Sequence, residues 1–107
     1  MPRDTLGEFE QVVLLACLQL GDGAYTVPVI DEIEARTGRS VSHAAVYVAL
    51  QRLESKGLVR SRLAESTAER GGRAKRYFRV TPRAIERLRQ SREILLNMWR
   101  GLESIAK

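Results

Sequence analysis

Residues 42–59 read S-H-A-A-V-Y-V-A-L-Q-R-L-E-S-K-G-L-V, and this stretch decides the fold. Ser42 offers a hydroxyl where a helix would begin, able to accept from a free backbone N–H of the first turn. Val46, Ala49, Leu50 and Leu53 then recur at three- and four-residue spacing, which places them on one face of a helix over about 43–56. The opposite face collects His43, Ala44, Tyr47, Val48, Gln51 and Ser55. Gly57 is a natural stop. Such a helix is fastened to a domain by its apolar side and is free to touch a partner with the other.

Downstream, Leu58–Leu63 alternates apolar and polar residues at Val59–Arg62, as a half-buried strand does. Tyr77–Val80 is the second strand expected. Between them lies a polar, glycine-containing loop, Ala64–Arg76, with cations at Arg70, Arg73, Lys75 and Arg76. Thr81-Pro82 starts a last helix with a hydroxyl cap followed by proline in the first turn. It is expected to run to about Ile105. Leu88, Leu95 and Leu102 recur every seven residues along it, and so do Met98 and Ile105.

Upstream, a short turn at Gly38–Val41 separates the central helix from an amphipathic one that begins near Pro28. Its apolar face is Val29, Ile30 and Ile33. The first helix is expected from a capping box at Thr5-Leu6-Gly7-Glu8 to Leu20, before Gly21-Asp22-Gly23. Its apolar residues, Phe9 and Val13 among them, spread over more than one stripe. In so short a chain the second side is expected to meet another subunit.

The chain has 107 residues, enough for one compact domain, and a net charge of +5. That charge is unevenly placed. Residues 1–51 carry three basic and seven acidic side chains, whereas residues 52–92 carry thirteen basic and four acidic. A basic block behind an acidic one suits a polyanionic partner.

The order helix, helix, turn, helix, strand, basic loop, strand, long helix is that of a winged helix-turn-helix. The expected fold class is mainly α with a small β-hairpin. Residues 1–81 form the DNA-binding part and residues 82–107 a C-terminal dimerisation helix in the same compact unit. The free face of the central helix can approach base edges in a major groove. The arginines and lysine of the loop, the wing, can neutralise phosphates or enter a minor groove.

The quoted stretch, together with Gly71–Thr81, which reads G-G-R-A-K-R-Y-F-R-V-T, resembles the signature segments of the PadR family of bacterial transcriptional regulators. These are a tyrosine in the recognition helix, an L-x-x-L-E-x-x-G-L-[IV] exit and a G-[GR]-x-x-[KR]-x-Y-[YF]-x-[LIV]-T wing and strand. Val48, Ala74 and Ala84 depart from the family pattern, which often has proline, proline and glycine there. The single thiol, Cys17, suits a reducing, cytoplasmic location, and the resemblance implies a repressor, often released by a small molecule. It also implies a dimer in which the last helix packs on the partner's first.

The residues expected to contact duplex DNA are Ser42, His43, Ala44, Tyr47 and Gln51 on the recognition helix, with Arg70, Gly72, Arg73 and Lys75 on the wing. The competing readings are that Tyr47 packs on the first helix, that Gln51 is only solvated, and that the wing has no fixed partner. Phe9, Val13, Leu88, Leu95, Met98, Trp99 and Leu102 are expected in a homodimer interface. Trp99 is either part of that interface or a stacking wall for a planar aromatic effector. No metal site or cofactor is expected: Cys17 and His43, the one residue of each type, lie on different helices without further ligands. No catalytic nucleophile–base pair or phosphate-cradling loop is recognisable, so an enzyme is not expected. No secretory leader is read in the first residues, and the apolar run Val12–Leu18 is too short to span a bilayer. The alternatives are a winged-helix protein-interaction module, which would have a more apolar free face, and a ligand sensor of another winged-helix family.

Overall fold

The computed structural model describes residues 6–64 and 74–105. Helix α1 spans Glu8–Leu20. It starts later than the sequence suggests, with Gly7 as its cap, and the Glu10 carboxylate accepts from the Gly7 N–H at 3.2 Å. Glu10 stands three residues after Gly7, so it can perform the glutamate half of a capping box without a hydroxyl partner. The expected cap, Thr5, lies outside the described residues. A single 3-10 turn, Gly21–Gly23, leads to α2 at Thr26–Thr37. Pro28 is the third residue of α2, where its missing N–H costs nothing. Helix α3 covers His43–Ser55, with Ser42 Oγ accepting from the Ala45 N–H at 3.0 Å, as its sequence suggests.

Gly57, at φ +77°, turns the chain out of α3 into strand β1, Val59–Ala64. Strand β2, Lys75–Val80, pairs with it antiparallel, Val59 opposite Val80 and Ala64 opposite Lys75. Val59 and Phe78 turn inward to the core. The Phe78 N–H donates to the Ala24 carbonyl at 2.8 Å. Ala24 thus occupies one residue's worth of a third strand, tying the hairpin to the α1–α2 connection.

The core lies where α1, α2, α3 and the hairpin meet. Leu14, Val29, Ile33, Val46, Leu50 and Leu53 are fully buried there. Each such side chain contributes on the order of 1.5–3 kcal/mol over its exposed state. Cys17 belongs to the same core, and burial pushes its thiol up to about 12.

Helix α4, Pro82–Trp99, is capped by Thr81, whose Oγ1 accepts from the Ala84 N–H at 3.3 Å. Ala84 and Leu88 are its buried residues. Beyond them it leaves the body, and the chain measures 57 × 31 × 21 Å. The helix ends at Trp99, short of the Ile105 expected from the heptad pattern, because the chain turns through Gly101 at φ +89°. Leu102 and Ile105 therefore fall in turns beyond the helix, and the seven-residue series stops at Leu95 and Met98. No helix among the described residues is long and apolar enough to cross a membrane.

Candidate nucleic-acid interface

Helix α3 is held from three directions. Val46, Leu50 and Leu53 anchor its inner face. At its C-terminus, Lys56 Nζ lies 2.9 Å from Glu10 Oε2 of α1. At its N-terminus, the preceding turn is clamped by Arg39, whose Nη1 and Nη2 donate to the two oxygens of Glu8 at 3.1 and 2.8 Å. That hydrogen-bonded pairing holds Glu8 below the usual carboxylate range. Glu34 accepts from the Val41 N–H at 3.3 Å in the same turn. The orientation of α3 is thus set by the fold before any partner arrives.

Its outer face carries His43, Ala44, Tyr47, Val48 and Gln51, all exposed. Ala44, Tyr47 and Gln51 are three and four residues apart and form one stripe. Tyr47 is 39% exposed, so part of its ring and hydroxyl face solvent on this side of α3. Ser42 is exposed at the start of the helix, where it already caps α3.

Three of the four wing residues, Arg70, Gly72 and Arg73, lie outside the described residues. Lys75 does not belong to the loop. It opens β2, opposite Ala64, and its Nζ sits 5.0 Å from the Tyr25 ring centroid. Cross-strand pairing reaches Ala64 opposite Lys75, two residues further along β2 than the sequence pattern suggests. Arg76 also lies in β2 and donates to Ser61 Oγ at 3.0 Å.

Two of the residues expected in an interface belong to the chain's own core. Val13 is 0% exposed and Leu88 is 7% exposed, so Val13 cannot reach a partner and Leu88 has little left to offer one. The breadth of the apolar surface on α1 is absorbed mostly by α2, α3 and β2 of the same chain. Phe9 is half-buried against that core. What α1 leaves in solvent is Leu15 and Leu18. On the projecting end of α4, Leu95, Met98 and Trp99 stand exposed, with Leu102 just beyond.

The chain matches the family model described as the transcriptional regulator PadR-like family over residues 14–90. The protein belongs to the PadR-like family. It is thereby a transcriptional regulator with a DNA-binding winged-helix fold, and not an enzyme. No curated protein matches the chain. Among solved structures, a transcriptional regulator from Clostridium thermocellum superposes with a TM-score of 0.70 at 21% identity, covering 92% of each chain. A PadR-like transcription factor from Bacteroides fragilis gives 0.71 at 20% identity, over 91% of this chain and 88% of that one. The Aeropyrum pernix ORC1 protein, solved in complex with DNA, gives 0.65 at 22% identity over 88% of this chain and 26% of its own. At these identities the likeness is one of fold.

The sequence pattern missed a further group of this PadR-like protein. Arg60, Arg62 and Arg79 project from the hairpin face that turns away from the core. Alternation along β1 puts Arg60 and Arg62 on one face, but only the register with β2 brings Arg79 beside them.

Proposed function

We propose that this PadR-like regulator is a homodimeric repressor that reads a pseudo-palindromic operator by placing α3 in the major groove of each half-site. The observation that carries the proposal is the α3 stripe of Ala44, Tyr47 and Gln51, exposed on a helix whose other side is immobilised by fully buried Val46, Leu50 and Leu53. The side chains suit that task. Gln51 can pair bidentately with adenine, and Ala44 can meet a thymine methyl. Ser42, His43 and Tyr47 are placed for the sugar-phosphate backbone, with the first amides of α3 adding donors. Arg70, Gly72 and Arg73, outside the described residues, join the reading as DNA contacts on the basic sequence between the two strands.

The dimer rests on the unpartnered apolar residues at the end of α4 and on Leu15 and Leu18 of α1. A two-fold axis between protomers would present two α3 helices to half-sites about one helical turn apart. A planar aromatic effector stacking on Trp99, which is 46% exposed, would release the operator by reshaping that interface.

The test is a gel-shift titration of genomic fragments at two salt concentrations. A shifted complex whose affinity falls steeply with salt is expected. Absence of binding at low salt, or salt-insensitive binding, overturns the reading. Unchanged Trp99 fluorescence across a panel of planar aromatic compounds removes the effector from it.

A further inference from the structure

Arg60 and Arg79 are direct partners across the hairpin. Their neighbours on the same face are Arg62 opposite Tyr77 and Ala64 opposite Lys75, so four cations occupy one side of a six-residue ribbon. Like charges placed opposite each other on a sheet destabilise it. Little offsets them here. Asp22 lies 3.8 Å from Arg79, and both side chains are almost fully in solvent. Among the described residues, Arg60 and Arg62 have no carboxylate partner.

The face is also ordered. Tyr77 and Tyr25 meet edge-on, with ring centroids 5.2 Å apart. The Arg62 guanidinium lies 4.9 Å from the Tyr77 centroid, and Lys75 Nζ lies 5.0 Å from that of Tyr25. Stacking on aromatic faces fixes these two long side chains in place. Arg60, Arg62, Tyr77 and Arg79 line an open cleft together with Gly21 and Asp22.

We infer that this outer hairpin face is a second phosphate-binding surface, which grips the DNA backbone outside the part of the site read by α3. Charge complementarity and continuity argue for DNA as the occupant. In sequence the two strands flank the segment that holds Arg70 and Arg73, so the cation row continues the basic block of the chain. Guanidinium forks suit phosphate oxygens, and Arg60 and Arg79 hold no other partner strongly. The repulsion between them in the free protein is relieved only when a polyanion lies across both.

The inference rests on the DNA-binding reading above, and its test separates the two. The R60Q/R79Q variant is titrated with a random-sequence duplex of roughly 40 base pairs across a salt series, beside wild type and an R36Q/R89Q control that loses the same net charge elsewhere. Arg36 and Arg89 are held by Glu32 and by Glu86 and Glu93 on helix surfaces. The salt slope of R60Q/R79Q is expected to flatten by about 0.9 per lost phosphate contact per protomer, while the control keeps the wild-type slope. R60K/R79K, which keeps both charges, is expected to retain the slope. Melting of R60Q/R79Q is expected at or above the wild-type temperature, since a repulsive pair has gone. Should the double variant fold poorly, R60Q alone reads the same change at half size. An unchanged slope in the Arg60 variants, or an equal loss in R36Q/R89Q, overturns the inference. Failure of wild type to bind the duplex at low salt overturns the DNA-binding reading instead.

Discussion

The hydroxyl of Thr81 donates to the Gly57 carbonyl at 3.0 Å, joining residues 24 positions apart. The Leu58 carbonyl lies 3.2 Å from the same oxygen, and the Thr81 N–H donates to it at 3.0 Å. Thr81 Oγ1 also caps α4. One buried side chain therefore fixes the exit of α3, the start of the hairpin and the start of α4 relative to one another.

Thr81→Val keeps the shape and removes the hydroxyl. It leaves the Ala84 N–H uncapped and takes one donor from two carbonyls. A loss of about 1–3 kcal/mol is expected, read as a fall in the denaturation midpoint at unchanged slope. A midpoint within error of wild type would show that water replaces the hydroxyl.

Tyr47 is exposed, so Tyr47→Ala should leave thermal stability nearly unchanged. Its expected effect is on DNA binding, a weakening of about 1–3 kcal/mol if the ring or hydroxyl touches the duplex. Tyr47→Phe distinguishes the two: retention of affinity assigns the contact to the ring. Wild-type affinity in both variants removes Tyr47 from the interface.

The raised thiol of Cys17 has two consequences. In the folded protein it should resist alkylation at neutral pH, because the thiolate is the reactive form. Folding should also weaken in alkali. The folded state keeps the proton while the unfolded chain releases it above its ordinary value of 9.0, so stability is full below that pH and is lost as pH rises towards about 12. The Cys17→Ala variant should lack this part of the alkaline loss. Rapid native-state labelling at neutral pH would contradict the burial.

Met98, 71% exposed, and Leu15 mark the surfaces assigned to the dimer. Met98→Glu and Leu15→Glu should each halve the mass measured by light scattering at micromolar concentration, without loss of helical signal. A wild-type mass in both would move the interface elsewhere. Val13→Glu would be uninformative here, since a charge at that buried site disrupts the protomer itself.

The order of elements was legible in the sequence because local chemistry specified it. Ser42 and Thr81 cap the helices their positions suggest, and the inner face of α3 follows from its spacing alone. Errors arose where a local pattern met a tertiary constraint. The apolar breadth of α1 implied a partner, but periodicity does not say whose surface covers it, and for Val13 the cover is the same chain. The heptad of α4 continues in sequence past Gly101, but the helix does not, because the glycine adopts positive φ there. The bond from Phe78 to Ala24 left no trace in the sequence, because it uses backbone atoms of residues 54 positions apart. The candidate site was half readable. The α3 stripe follows from periodicity, whereas the cation row on the hairpin needs a strand register that alternation does not supply.

Helix α4 is held to the body by Ala84 and Leu88 and then runs free to Trp99. The free part is about 16 Å long at 1.5 Å per residue. A tilt of roughly 10° about Leu88 therefore carries Trp99 through about 3 Å. In a dimer joined at that tip, the same small angle works in reverse as a lever: an adjustment among a few side chains at the joint becomes a change in the distance between two reading heads. The sparse anchoring of α4, two buried residues near its start, is what gives it so long a mechanical arm.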